Sequence, residues 1–176
     1  TIPSTITTFT LSKQSTRGGT SVTGTINLTG PAPVGGAVVT LTSSVPTLTL
    51  VPANITIDAG GTSATFTVNT NATTVDTATT ITAAYKSVSL VAPFKVQRTV
   101  PASIKLTPAL VVGGSNVSAL LTLNGKAPSG GLTVILASDT PTLANCPASI
   151  SIPEGGTTGT FTVNTTHPAA LTSVII

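Results

Sequence analysis

The sequence predicts an all-β fold of two tandem antiparallel β-sandwiches, and three observations carry that expectation. Thr is the commonest residue, and Gly (16) and Pro (13) are plentiful while Met and Trp are absent, so strand and turn formers outweigh helix formers. Apolar residues recur with a period of two and not 3.6, as in Val22, Gly24, Ile26 and Leu28 with Thr23, Thr25 and Asn27 between them. The chain also repeats itself. An offset of 95 residues, held without a gap from Leu11/Leu106 to Ile81/Ile176, gives 31 identities over 71 aligned positions.

The elements of the first copy follow from alternation bounded by turn residues. Strands are expected at about Thr5 to Ser12, Ser21 to Thr29, Ala37 to Ser43, Asn54 to Ile57, Thr62 to Asn69, Thr77 to Lys86 and Val88 to Val96, with a short extra one at Leu48 to Val51. Gly18-Gly19, Gly30-Pro31, Gly35-Gly36 and Gly60-Gly61 separate them, because Gly tolerates positive φ and Pro presets the turn. Seven short strands in one repeat suit a sandwich whose inner faces bury Val, Ile, Leu and one Phe. Phe66 and its counterpart Phe161 are the expected core markers, and outward positions are expected to be Thr. Cys146 stands where the first copy has Val51 and is read as a third core marker, a small buried hydrophobe.

The domains are drawn at 1–97 and 98–176. The second is incomplete at its C-terminus, since Thr82 to Val96 of the first copy have no counterpart before Ile176. An unclosed sandwich leaves a sheet edge that soluble proteins avoid. Either further repeats of the same longer chain continue the array, or a neighbouring copy closes it by β-strand addition. Thr1 in place of a Met suggests a removed leader or a segment of a longer chain. Pro101 at the junction stiffens the linker.

Composition also narrows the function. Only 11 residues are charged, 7 Lys and Arg against 4 Asp and Glu, or 6% where a soluble domain has about a quarter. An apolar share of 40% is too high for a disordered chain. No run approaches the roughly 18 apolar residues that would span a bilayer. Seven scattered cations make no patch for phosphates, so no nucleic acid partner is expected. The single cysteine means that packing, not disulfides, holds the fold and leaves the redox compartment open, while the Thr-rich, Lys- and Glu-poor surface suits an extracellular or cell-surface setting.

Catalytic and ligand-binding residues are scarce. Asp58, Asp76, Asp139, Glu154 and His167 show no pairing suited to acid–base work and no metal-ligand spacing, so the chain is read as non-enzymatic, with no catalytic residue, cofactor or metal. Lys13 and Lys105 do not occupy matching positions, which argues against a shared internal crosslink. Five Asn-x-Ser/Thr sequons, at Asn27, Asn54, Asn71, Asn116 and Asn164, mark glycan attachment sites in a glycosylating host. Tyr85 and Phe94 are the aromatics to weigh as a sugar platform against packing in the last strands of copy one.

The stretch Val39-Thr40-Leu41-Thr42-Ser43, then Pro46, Val51-Pro52 and Gly61-Thr62-Ser63-Ala64-Thr65-Phe66-Thr67-Val68, resembles the bacterial immunoglobulin-like (Big-type) tandem repeats of cell-surface and extracellular proteins. The second copy follows with Val134-Ile135-Leu136-Ala137-Ser138 and Pro141, and departs at Cys146-Pro147 and Gly159. The resemblance implies two immunoglobulin-like sandwiches in a surface filament, stalk or adhesin. It brings no catalytic residues. The alternative function is a carbohydrate- or surface-binding accessory module of a secreted multidomain protein.

Overall fold

A computed structural model describes residues 4–176; Thr1, Ile2 and Pro3, at the start of the expected first repeat, lie outside the described residues. The fold is all-β, with no helix among the described residues. Backbone contacts divide it into two compact units, Thr1–Arg98 and Thr99–Ile176.

The first unit holds β1 (Ile6–Leu11), β2 (Ser15–Arg17), β3 (Ser21–Leu28), β4 (Ala37–Ser43), β5 (Thr49–Leu50), β6 (Asn54–Ile57), β7 (Ser63–Thr70), β8 (Thr77–Tyr85) and β9 (Val88–Gln97). They form a four-stranded sheet in the order β1-β3-β7-β5 and a five-stranded sheet in the order β2-β9-β8-β4-β6. All pairs are antiparallel except β2 with β9, where Ser15, Thr16 and Arg17 run parallel to Lys95, Val96 and Gln97. Alternation places Val22, Ile26, Phe66 and Val68 from one sheet against Val39, Ile57, Ile81 and Val96 from the other in one buried cluster, the arrangement of a β-sandwich. Each such side chain contributes about 1.5–3 kcal/mol by leaving water.

The second unit holds β10 (Pro101–Thr107), β11 (Asn116–Leu123), β12 (Leu132–Ile135), β13 (Ala144–Asn145), β14 (Ser149–Ile152) and β15 (Thr158–Thr165). The order β10-β11-β15-β13 reproduces the first unit's four-stranded sheet, but the second sheet has only β12 and β14. Its buried cluster gathers Val117, Leu121, Phe161 and Val163 from the larger sheet with Ile152 from the smaller one.

The repeat extends to single hydrogen bonds. Gly61 N–H donates to Asp58 O at 2.8 Å and Gly156 N–H to Pro153 O at 2.9 Å, while Leu41 N–H meets Ala53 O as Leu136 N–H meets Ala148 O. Positive φ falls at Gly60 and Gly155, 80° and 74°, where a side chain would strain the turn. Even the register shift between Ile6 and Thr8 on β1 recurs between Pro101 and Ser103 on β10.

Three details differ from the expectations drawn from the sequence. The strand β2 is extra: it has three residues, and its strand partner among the described residues lies 80 residues away, so no local alternation announces it. The β8 strand ends at Tyr85 and not at Lys86, because Lys86 takes a φ of 55° in a two-residue turn with Ser87. Nor does every Thr face outward. Thr49, Thr70, Thr79 and Thr99 are buried, each with its hydroxyl hydrogen-bonded.

Candidate functional site

Asp76 and Glu154 each make local contacts. The Asp76 carboxylate accepts the Arg98 backbone N–H at 2.9 Å and pairs with Lys95 Nζ at 2.9 Å. The Arg98 N–H, and after it the Lys95 hydrogen bond, hold its pKa below the ordinary carboxylate value. Glu154 accepts from Ser129 Oγ at 3.0 Å and Gly130 N–H at 3.3 Å, closing a turn. His167 is exposed, and its ring covers Gly114, where a Cβ would overlap it. Among the described residues no three His, Cys, Asp or Glu come together.

The other residues singled out from the sequence fall as follows. Phe66 and Phe161 are buried, and Cys146 is half-buried against the second unit's core, with a free thiol. Tyr85 and Phe94 are both buried, and Phe9 stacks obliquely on Phe66 with ring centroids 5.9 Å apart. Asn54, Asn71, Asn116 and Asn164 are exposed; Asn27 is half-buried, its amide donating to Thr8 Oγ1 at 2.7 Å. Lys13 lies beyond the end of β1, while Lys105 is exposed on β10.

One concavity belongs to the second unit. A groove of about 410 Å³ has Val117 and Val163 in its floor, Leu106 and Leu110 on one wall, and Leu171 and Ile176 on the other. The repeat identifies what this place is. One wall, Leu110 to Val112, matches β2, and the other, Thr172 to Val174, matches Thr77 to Thr79 at the start of β8. In the first unit β9 runs between those two segments: Val96 faces Thr16 on one side and Thr77 on the other, while Phe94 faces Thr79. Phe94 and Val96 are 3% and 0% exposed there. The groove therefore occupies the position of β9.

The segment approaching Ile176 enters the β8 path in register. Asp139 N–H donates to Ile175 O at 3.1 Å, as Ser44 N–H donates to Thr80 O at 3.0 Å. Ile175 N–H then donates to Asp139 Oδ1 at 3.1 Å, as Thr80 N–H does to Ser44 Oγ at 2.9 Å. Val174 and Ile176 pack on the core beside the groove.

Several exposed positions differ in polarity between the two units. Leu110, Val112, Ile135, Leu171 and Ile175 are exposed, and their counterparts in the first unit are Ser15, Arg17, Thr40, Asp76 and Thr80. All five stand on segments of the second sheet or on its expected continuation. The alternation pattern marks the inward positions of a strand and leaves such outward differences unmarked, Val38 to Thr133 running the opposite way.

Comparison of the sequence with protein-family models finds no match, and comparison with curated proteins finds none either.

Proposed function

We propose that this chain is a non-enzymatic structural segment of an extracellular surface filament, stalk or adhesin, built from tandem immunoglobulin-like β-sandwiches. The observation that carries this reading is the gapless repeat, in which turns, a register shift and individual backbone hydrogen bonds recur at the same offset. A protein whose task is to span distance gains from copying one self-contained unit, since each unit buries its own core. The sparse, Thr-dominated charge pattern lets such faces lie close to neighbouring chains with little repulsion.

The alternative, a carbohydrate-binding module, would rest on an aromatic face open to solvent. Four of the five aromatic side chains are buried, and the fifth, Phe9, packs against Phe66, so no particular feature favours it. Pulling the chain from its two ends in a force spectrometer tests the structural reading. Discrete unfolding steps are expected, each releasing up to ~300 Å at ~3.3–3.6 Å per residue over one unit. Smooth extension without steps would sink it.

A further inference from the structure

We infer that the Asn124-Gly125 bend of the second unit is a self-modifying site, at which Asn124 loses its side-chain amide as ammonia through a cyclic imide and, as isoaspartate, releases the start of β10. Water is the co-reactant, and no enzyme is needed.

Of the eight asparagines, Asn124 is the one that a glycine follows. The two residues lie just past the end of β11, in a bend, and both are half-buried, so water and hydroxide still reach them. Glycine matters because the attacking atom is its backbone nitrogen: with no Cβ, residue 125 leaves that nitrogen unshielded and free to turn toward the side chain before it. The structure supplies a second aid. Val100 N–H donates to Asn124 Oδ1 at 3.0 Å. That oxygen is where negative charge gathers when the nitrogen attacks Cγ, and an N–H already fixed there stabilises the charge as it forms.

Hydroxide removes the Gly125 amide proton, the nitrogen bonds to Asn124 Cγ, and the bond from Cγ to the side-chain nitrogen breaks. Ammonia leaves with a proton from water, which regenerates the hydroxide, and a cyclic imide remains. Water then opens the imide on either side. Breaking the bond from nitrogen to Cγ gives aspartate, whereas breaking the bond from nitrogen to the backbone carbonyl carbon gives isoaspartate, whose main chain runs through Cβ and Cγ. Nothing is oxidised or reduced.

The two products act differently on the fold. Asn124 N–H donates to Val100 O at 3.0 Å, and beyond the bend Thr99 Oγ1 donates to Lys126 O at 2.7 Å and Ala127 N–H to Gly156 O at 2.8 Å. The bend is thus pinned on both sides. Aspartate keeps an acceptor for Val100 N–H, and a charged one. Isoaspartate adds a carbon to the main chain between those pins and turns the Cγ carbonyl into a main-chain group, which breaks the latch on Val100. The first unit closes the same place without this chemistry. There Thr29, before Gly30, accepts the Thr5 N–H on its Oγ1 at 3.1 Å and donates its own N–H to Thr5 O at 2.9 Å.

The test ages the full chain in mildly alkaline buffer and follows every asparagine by peptide mapping, with fragmentation that separates isoaspartate from aspartate. Asn124 is expected to convert at least ~10-fold faster than any other asparagine, a barrier lower by about 1.4 kcal/mol. Unfolding the chain in guanidinium removes the Val100 donor and should not speed the conversion. Hydrogen exchange at the Val100 amide should rise in the isoaspartate fraction alone. Asn124→Thr, which copies Thr29, should fold and keep that amide protected on ageing.

Survival of Asn124 in the folded chain, or conversion no faster than at the other asparagines, overturns the proposal. Faster conversion in the unfolded chain overturns it too, because the Val100 N–H would then have no part in the reaction. A Val100 amide that exchanges alike before and after isoaspartate forms does the same, because β10 would not have been released.

Discussion

The ring of Phe66 lies over the α-carbon of Gly24, its directly opposed partner across β3 and β7: a Cβ built on Gly24 would come within 2.6 Å of Phe66 Cε1. The second unit pairs Ala119 with Phe161 at the same place and carries its glycine elsewhere, at Gly159, where a Cβ would meet Ile150 Cδ1 at 2.8 Å. Each core leaves out one methyl, at a different site. Gly24→Ala is therefore expected to destabilise the first unit by about 1–3 kcal/mol, the usual cost of overpacking. Gly159→Ala should cost less, since the flexible tip of Ile150 can move aside. Urea denaturation measures both, and equal costs would contradict this account.

A buried hydroxyl cluster in the first unit gives a second expectation. Thr49 donates to Val45 O at 3.1 Å and hydrogen-bonds Ser43 Oγ and Thr79 Oγ1, and Thr79 in turn meets Ser44 Oγ at 3.1 Å. The second unit has Ala144 and Val174 at the Thr49 and Thr79 positions. Removing one hydroxyl leaves its buried partners short of a bond, at about 1–3 kcal/mol, whereas removing both leaves fewer unmet groups. The double variant Thr49→Ala with Thr79→Val should accordingly cost less than the sum of its singles in a double-mutant cycle. Strict additivity would show that the two hydroxyls act independently.

Asp76 sets an acid limit on the end of β9. Its folded-state pKa is depressed by the Arg98 N–H and then by Lys95, so its contribution is fully present above the unfolded value of about 3.9 and is lost as pH falls through the lower folded value. Hydrogen exchange at the Arg98 amide should stay protected, after correction for intrinsic rates, from pH 7 down to about 4 and then lose protection. Asp76→Asn should remove that step. Because the pair is exposed, salt should weaken the Lys95 contribution at every pH above the step. A protection loss that begins near pH 6 would implicate another group.

Inward positions were readable from the sequence because one rule, alternation, governs them: Ile26, Ile57, Val68 and Ile152 are buried on that count alone. Features that depend on partners distant in the chain were not. The short strand β2 exists because β9 runs beside it, and Thr70 is buried because its hydroxyl donates to Thr20 O at 2.6 Å across a turn. Thr165 makes the same bond to Ser115 O, at 2.7 Å. A threonine in an alternating strand reads as outward whether it faces water or fastens a neighbouring loop, since β-branching serves both. The exposed apolar residues beside the groove were not legible either. Leu110 and Leu171 become informative only when set against Ser15 and Asp76 in a structure that places both leucines on the groove wall.

The unequal second sheets predict unequal stability. The first unit's second sheet has five strands, and its core includes Ile81, Phe94 and Val96, while the second unit's smaller sheet has two strands. Less apolar surface is removed from water, so the second unit should unfold first, as a separate calorimetric transition. Ile57 and Ile152 are equivalent residues, both essentially fully buried, and allow the transitions to be assigned. Ile57→Ala should lower only the upper transition and Ile152→Ala only the lower, each by about 2–5 kcal/mol. A single transition that both substitutions move equally would mean that the units unfold together.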